Sequence, residues 1–197
     1  MTTVIAREQG WRVVDIVVAS VLAVAFGLVF QVWNLLWAAT DPVFAAVPPL
    51  QGFMYGVWLL PAVLVPLVVR RPGAALMAEV VAASVSALIG SQWGLLTIVY
   101  GLVQGGAAEL VFAFGLYRNW NLITAILAGA AAGAGAVLLD LAIFYPDWGA
   151  DWQVLYASLV IPSAAVIAGI GSWLLVRALA GTGVLSGFPS GRGQAEV

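Results

Sequence analysis

The chain has 197 residues, 63% hydrophobic and 8% charged, with a net charge of −2 and a mean hydropathy of +1.07; a soluble domain carries about 25% charged residues, so this composition cannot cover a water-facing surface. The charges are seven Arg and nine acids, and Lys, His and Cys are absent. That inventory excludes thiolate nucleophiles, imidazole bases, disulfides and the usual zinc or haem ligands, excludes a Walker lysine for ATP hydrolysis, and gives no basis for a nucleic-acid partner.

Six apolar runs follow in chain order, near 14–38, 52–69, 73–90, 95–117, 120–145 and 153–179. Continuous apolarity over 18 or more residues predicts helices, where a membrane barrel would show short alternating segments. Residues 1–180 therefore read as one all-α, six-helix membrane domain. The first run is too long for the apolar region of a signal peptide and is expected to be retained. Arg7 and Arg12 precede span one, Arg70 and Arg71 separate spans two and three, Arg118 separates four and five, and Arg177 and Arg192 close the chain. All seven fall on one side, which the positive-inside rule makes cytoplasmic, with both termini inside.

Span one carries small residues at four-residue spacing, Ala19-Ala23-Gly27. Such stripes let helix backbones approach closely, and two readings stay open here: internal packing, or a face shown to another membrane protein. Gln31 and Asn34 share a face of the same span. The outer connection 39–51, with Asp41-Pro42 and Pro48-Pro49, is the longest and reads as a proline-stiffened flap. Trp58 lies about 9 Å inside span two, and Pro61, Pro66 and Pro162 predict kinks. Further small-residue stripes, Ala78-Ala82-Ser86-Gly90 in span three and Gly129-Gly133 in span five, read as bundle packing. The glycine-rich stretch 181–197 reads as a flexible cytoplasmic tail.

The deep ionisable residues are Glu79, Glu109 and Asp140. A carboxylate in hydrocarbon costs several kcal/mol, so each is expected to face a cavity or a partner. Glu109 sits about 21 Å from the outer end of span four, at a depth similar to Glu79. On span four Tyr100 and Gln104 share a face, with Gly101, Gly105 and Glu109 beside it. This reads as a groove whose glycines admit a ligand to the backbone. Gln51, Tyr55, Trp58, Ser91, Gln92, Trp93, Tyr145, Trp152 and Tyr156, with the Gln31–Asn34 pair, add polar and aromatic groups towards the outside, the make-up of a pocket for a small, flat, polar molecule. No cation lies in the outer half, so an anionic ligand finds no counter-charge there. A cationic or amino-bearing heteroaromatic fits, with Glu109 placed to pair with it; Glu79, nearer the arginines, is a further binding candidate although a structural role fits it better.

The segments Trp11-Arg-Val-Val-Asp15, Arg70-Arg-Pro-Gly-Ala-Ala-Leu-Met-Ala-Glu79, Gly90-Ser-Gln-Trp-Gly94 and Gly101-Leu-Val-Gln-Gly-Gly-Ala-Ala-Glu-Leu-Val-Phe112 resemble the YkoE family over roughly residues 11–180. Those proteins are substrate-binding S components of energy-coupling-factor (ECF) vitamin transporters, associated with thiamine and its hydroxymethylpyrimidine precursor. Arg71 stands where the family pattern has Lys and keeps the charge. The resemblance implies a six-helix S component working with a transmembrane coupling protein and two cytoplasmic ATPases, and no cofactor or metal of its own. It implies binding by Glu109 first, then Gln104, Gln92 and Trp93, and it makes Ala19 and Ala23 the face that meets the coupling protein. The competing readings are an S component for another vitamin, a membrane enzyme using Glu79 and Glu109 as a carboxylate pair, and a purely structural subunit.

Overall fold

The fold comes from a computed structural model that describes residues 10–192. Arg7 and residues 193–197 of the expected tail lie outside the described residues. Every regular element among the described residues is helical. Helix α1 spans Val13–Phe44. A 3₁₀ segment, Pro48–Leu59, runs directly into α2 (Leu60–Val69). Three helices follow: α3 (Ala74–Leu88), α4 (Leu96–Phe114) and α5 (Leu122–Ile143). The last long run is α6 (Ala150–Ser163), a π-helical stretch at Ala164–Gly171 and α7 (Ser172–Gly181), and a single turn, α8 (Pro189–Arg192), follows it. Five of these stretches are long and apolar enough to cross a membrane; the remaining one, α3, is apolar over 15 residues.

Residues 61–69 of α2 are buried on every side, as expected of a helix that is hydrophobic all round. The outer helices instead turn large apolar side chains outward. Val13, Leu88 and Phe114 are each more than three-quarters exposed, which hydrocarbon solvates and water does not.

The connection after α1 differs from the expected flap. The helix continues through Pro42 to Phe44, and only residues 45–47 separate it from the 3₁₀ segment. Gln51 fastens that join by donating to the Trp37 carbonyl at 2.9 Å and to Asp41 Oδ1 at 2.8 Å. A twelve-residue 3₁₀ helix is long for its kind. It is held against α6 by close backbone approach: a Cβ on Gly56 would stand 2.6 Å from the Ser163 carbonyl oxygen. Ser163 Oγ accepts from the Gly56 amide and donates to the Phe53 carbonyl. Pro162 precedes the π-helical stretch, consistent with its missing amide and its clash with the preceding turn.

Small residues do the packing. Ala78, Ala82 and Ser86 of α3 are fully buried, and α3 packs between α1 and α4. A Cβ on Gly101 or Gly105 of α4 would meet Ala83 Cβ at 2.7 Å or Glu79 Cβ at 2.8 Å. Those two glycines therefore admit α3, not a ligand. At the chain end, residues 181–192 sit on the bundle: Leu185 and Phe188 are buried, Arg12 lies over the Phe188 ring, and Ser190 Oγ donates to the Val68 carbonyl.

Gly129 of α5 tests this packing, since an added Cβ would stand 2.6 Å from the Ala164 carbonyl oxygen. We expect Gly129→Val to destabilise the detergent-solubilised protein by about 1–3 kcal/mol. Gly106, whose Cβ would meet nothing within 4 Å, should gain about 0.5–1 kcal/mol as Ala. Thermal melts of the two variants beside the parent check both signs.

Candidate substrate-binding site

A cavity of about 260 Å³ lies inside the bundle, just under the ~300–1,000 Å³ common for small-molecule sites. It runs from Trp93, Thr97, Phe144 and Tyr145 near the Arg-free end to Gln104 and Glu79 further in. Gln104 is eight residues into α4, about 12 Å along the axis.

One wall is a box of aromatic rings centred on Trp58. Its ring centroid lies 4.9 Å from that of Trp37, 5.2 Å from Tyr55 and 5.6 Å from Trp93. The 3₁₀ segment presents Tyr55 and Trp58 together, because its tighter three-residue turn aligns positions three apart. The Trp58 indole N–H donates to Asn34 Oδ1 at 2.9 Å, and Asn34 Nδ2 donates to Ser86 Oγ and to Gln31 Oε1. Thus α1 and α3 hold the ring in place through a fully bonded amide.

Two carboxylates face the same space. Asp140 of α5 accepts from the Tyr100 hydroxyl of α4 at 2.6 Å and the Tyr156 hydroxyl of α6 at 2.8 Å. Glu79 of α3 is 1% exposed, and its Oε2 accepts from the Ala62 amide at 3.0 Å, in the first turn of α2 where helices leave donors over. The other Glu79 oxygen receives no hydrogen bond from the described residues. Gln104 Nε2 donates to the Tyr55 hydroxyl at 3.4 Å. No basic residue lines the cavity. Indole faces and carboxylates together attract cations and amino-bearing rings and repel anions.

The structure brings together Asn34, Tyr55, Trp58, Glu79, Trp93, Tyr100 and Gln104 of the residues expected at the site. Gln31 stands behind Asn34 and also reaches the Gly90 carbonyl. Gln92 is exposed in the turn between α3 and α4 and does not line the cavity. Glu109 is a correction. It does not line the cavity, because its carboxylate caps α3, accepting from the amides of Gly73 at 2.6 Å, Ala75 at 2.9 Å and Leu76 at 3.4 Å. Those amides begin a helix and have no partner within it, and the positive helix end favours an anion there. Glu79 and Glu109 therefore do not converge as an enzyme's carboxylate pair. Ala19 and Ala23 are a second correction: both are fully buried, on a stripe whose Gly27 lies hard against Val85 and Ala82 of α3. The face α1 turns outward is instead Val17, Val21, Val24 and Leu28.

Of the other lining residues, sequence reasoning named Tyr145 and Tyr156 among the outer aromatic groups and Asp140 as a deep carboxylate, and it did not assign Trp37 to the site. The available signal was Asp140, a carboxylate in an apolar run that has to find donors. Nothing in the spacing named Tyr100 and Tyr156 as those donors.

Parts of three of the segments that carried the resemblance build the Arg-bearing end. Asp15 is fully buried and bridges Arg12 at 2.6 Å and Arg71 at 2.7 Å. Its hydrogen bond raises the Arg12 pKa above an already high value. The Trp11 indole donates to the Pro72 carbonyl, and Gly73 takes φ +83°, a conformation glycine adopts without strain. Glu109 then seals Gly73 from α4.

An all-helical fold of membrane-length apolar helices around an aromatic, acid-lined cavity is what a solute-binding subunit of a transporter needs. The comparisons agree. Residues 14–135 match the family described as "ABC-type cobalt transport system, permease component". Over 189 residues, 93% of this chain and 92% of the relative, it is 31% identical to a Bacillus subtilis (strain 168) protein described as "Putative HMP/thiamine permease protein YkoE". A crystal structure described as an S-component of an ECF transporter superposes with a TM-score of 0.90 at 30% identity, covering 95% of this chain and 94% of that one. The chain belongs to the YkoE family of S components, multi-pass membrane proteins that serve transport and not catalysis.

Replacing Glu109 by Gln should lower the thermal unfolding midpoint by the equivalent of about 1–2 kcal/mol, the usual weight of a helix cap. Ligand affinity should not change, and a parallel melt and titration of the variant read the two effects apart.

Proposed function

We propose that this chain captures thiamine, or the related hydroxymethylpyrimidine, for import. The observation that carries the reading is a 260 Å³ cavity with tryptophan walls, two carboxylates and no basic side chain in its lining. Thiamine brings a cationic thiazolium and an aminopyrimidine, both flat. Such rings would lie against the wall that Trp37, Trp58 and Trp93 form, while Glu79 and the Asp140 cluster answer the positive charge and the amino hydrogens. The description of the Bacillus subtilis relative as an HMP/thiamine permease supports the same ligand class.

In this reading the bundle crosses the membrane six times with α3 as the short sixth span, and both termini are cytoplasmic. All six described Arg residues lie at one end of the bundle, consistent with that orientation. The cavity then opens towards the outside. Without a lysine the chain cannot build a Walker site, so the energy comes from partners: a transmembrane coupling protein and two cytoplasmic ATPases. The coupling protein meets the exposed face of α1, since the small-residue stripe is already occupied by α3.

Tryptophan-fluorescence titration of the purified protein with thiamine and with hydroxymethylpyrimidine tests the assignment, because three indoles line the cavity. Binding tighter than micromolar by one of the two is expected. Glu79→Gln and Asp140→Asn should each weaken it at least tenfold, about 1.4 kcal/mol, and a phosphorylated thiamine should bind more weakly than thiamine. No binding of either compound below micromolar levels, with another small molecule identified by mass spectrometry of the purified protein, would point to a different vitamin.

A further inference from the structure

We propose that the Arg-bearing end carries a second site, one that holds the phosphate group of an anionic membrane lipid. A separate pocket of about 60 Å³ lies there, sharing no residue with the central cavity and lined by Arg70, Trp120, Trp173, Arg177 and Ser190 among others. Its size is about that of two water molecules, enough for a phosphate-sized group and too small for a ring system.

The donors are specific. Arg70 ends α2, and Arg177 comes from α7 with its guanidinium 4.7 Å from the Trp173 ring centre. Arg177 forms no ion pair among the described residues, and the Trp173 indole N–H has no acceptor among them. Two further polar groups of the lining are engaged within the chain: the Trp120 N–H on the Tyr117 carbonyl, and the Ser190 hydroxyl on the Val68 carbonyl. Guanidinium groups and an indole N–H lining one small pocket match phosphate oxygens.

The surroundings select a lipid over a free phosphate ion. Leu174 and Leu175 follow Trp173 on α7 and are about half exposed; Ile123 and Leu127, on the helix that Trp120 precedes, are 68% and 53% exposed. Tryptophans characteristically mark the membrane–water boundary. A headgroup phosphate in the pocket would thus leave its acyl chains lying along outward-facing apolar side chains. Basic pockets between membrane helices bind anionic headgroups in this way.

Native mass spectrometry of the full chain in detergent tests this, with dioleoyl phosphatidylglycerol, dioleoyl phosphatidylcholine and inorganic phosphate as separate arms. One phosphatidylglycerol should be retained, and phosphatidylcholine should not. Arg177→Gln should weaken retention about fivefold, the weight of one basic residue at an anionic surface. Trp173→Phe, which keeps the ring and removes the N–H, should also weaken it, whereas Arg118→Gln, at the same end but outside the pocket, should not. Equal retention of phosphatidylcholine, or unchanged retention in both pocket variants, overturns the proposal. So does an equal loss in Arg118→Gln, which would mean general surface charge. Displacement of the lipid by millimolar inorganic phosphate would mark a free-oxyanion site and overturn the lipid assignment.

Discussion

A charged or polar group within the hydrocarbon has to find its partners inside the protein, and Asp140 meets that demand by drawing three helices together. From α5 it takes one hydroxyl from α4 and another from α6. The cavity exists because these helices converge on a polar centre and not on a dry seam. Glu79 works similarly from α3, spending one oxygen on the amide at the start of α2. Lipid supplies no hydrophobic drive between helices, so these bonds and close contacts orient the bundle.

The contacts rely on small side chains. Gly27 sets α1 on α3, Gly101 and Gly105 set α4 on α3, and Gly56 sets the 3₁₀ segment on α6. The last of these holds in place the tight turn that turns Tyr55 and Trp58 to the cavity. Helix α3, short and rich in alanine, becomes the element around which α1 and α4 close. Its first turn is anchored by Glu109 and its middle delivers Glu79 to the cavity.

The residues most useful for placing the chain in its family do structural work. Trp11, Arg12, Asp15, Arg71, Gly73 and Glu109 form one connected clasp at the Arg-bearing end. A motif can identify a family partly through its fold: beyond Glu79, Trp93 and Gln104, the cavity is lined by side chains from outside those segments, many of them aromatic and widely spaced in the chain.

The sequence by itself determined the solvent, the helical class, the clustering of Arg at one end and the exclusion of thiol, imidazole and Walker-lysine chemistry, because these follow from counts and from the length of apolar runs. It also pointed to Tyr55, Trp58, Trp93, Tyr100 and Gln104, aromatic and amide groups that an apolar helix has little other reason to carry. Only the tertiary structure decided what each face meets. Glu79 and Glu109 lie at similar depth and give the same signal, yet one opens on the cavity and the other caps a helix. The glycines of α4 and the stripe of α1 were open to a ligand or a partner and are filled by α3. Helical periodicity states which residues share a face, and it carries no information about the neighbour across from it; that neighbour is set by which helices can approach closely while leaving no buried donor or acceptor unpaired.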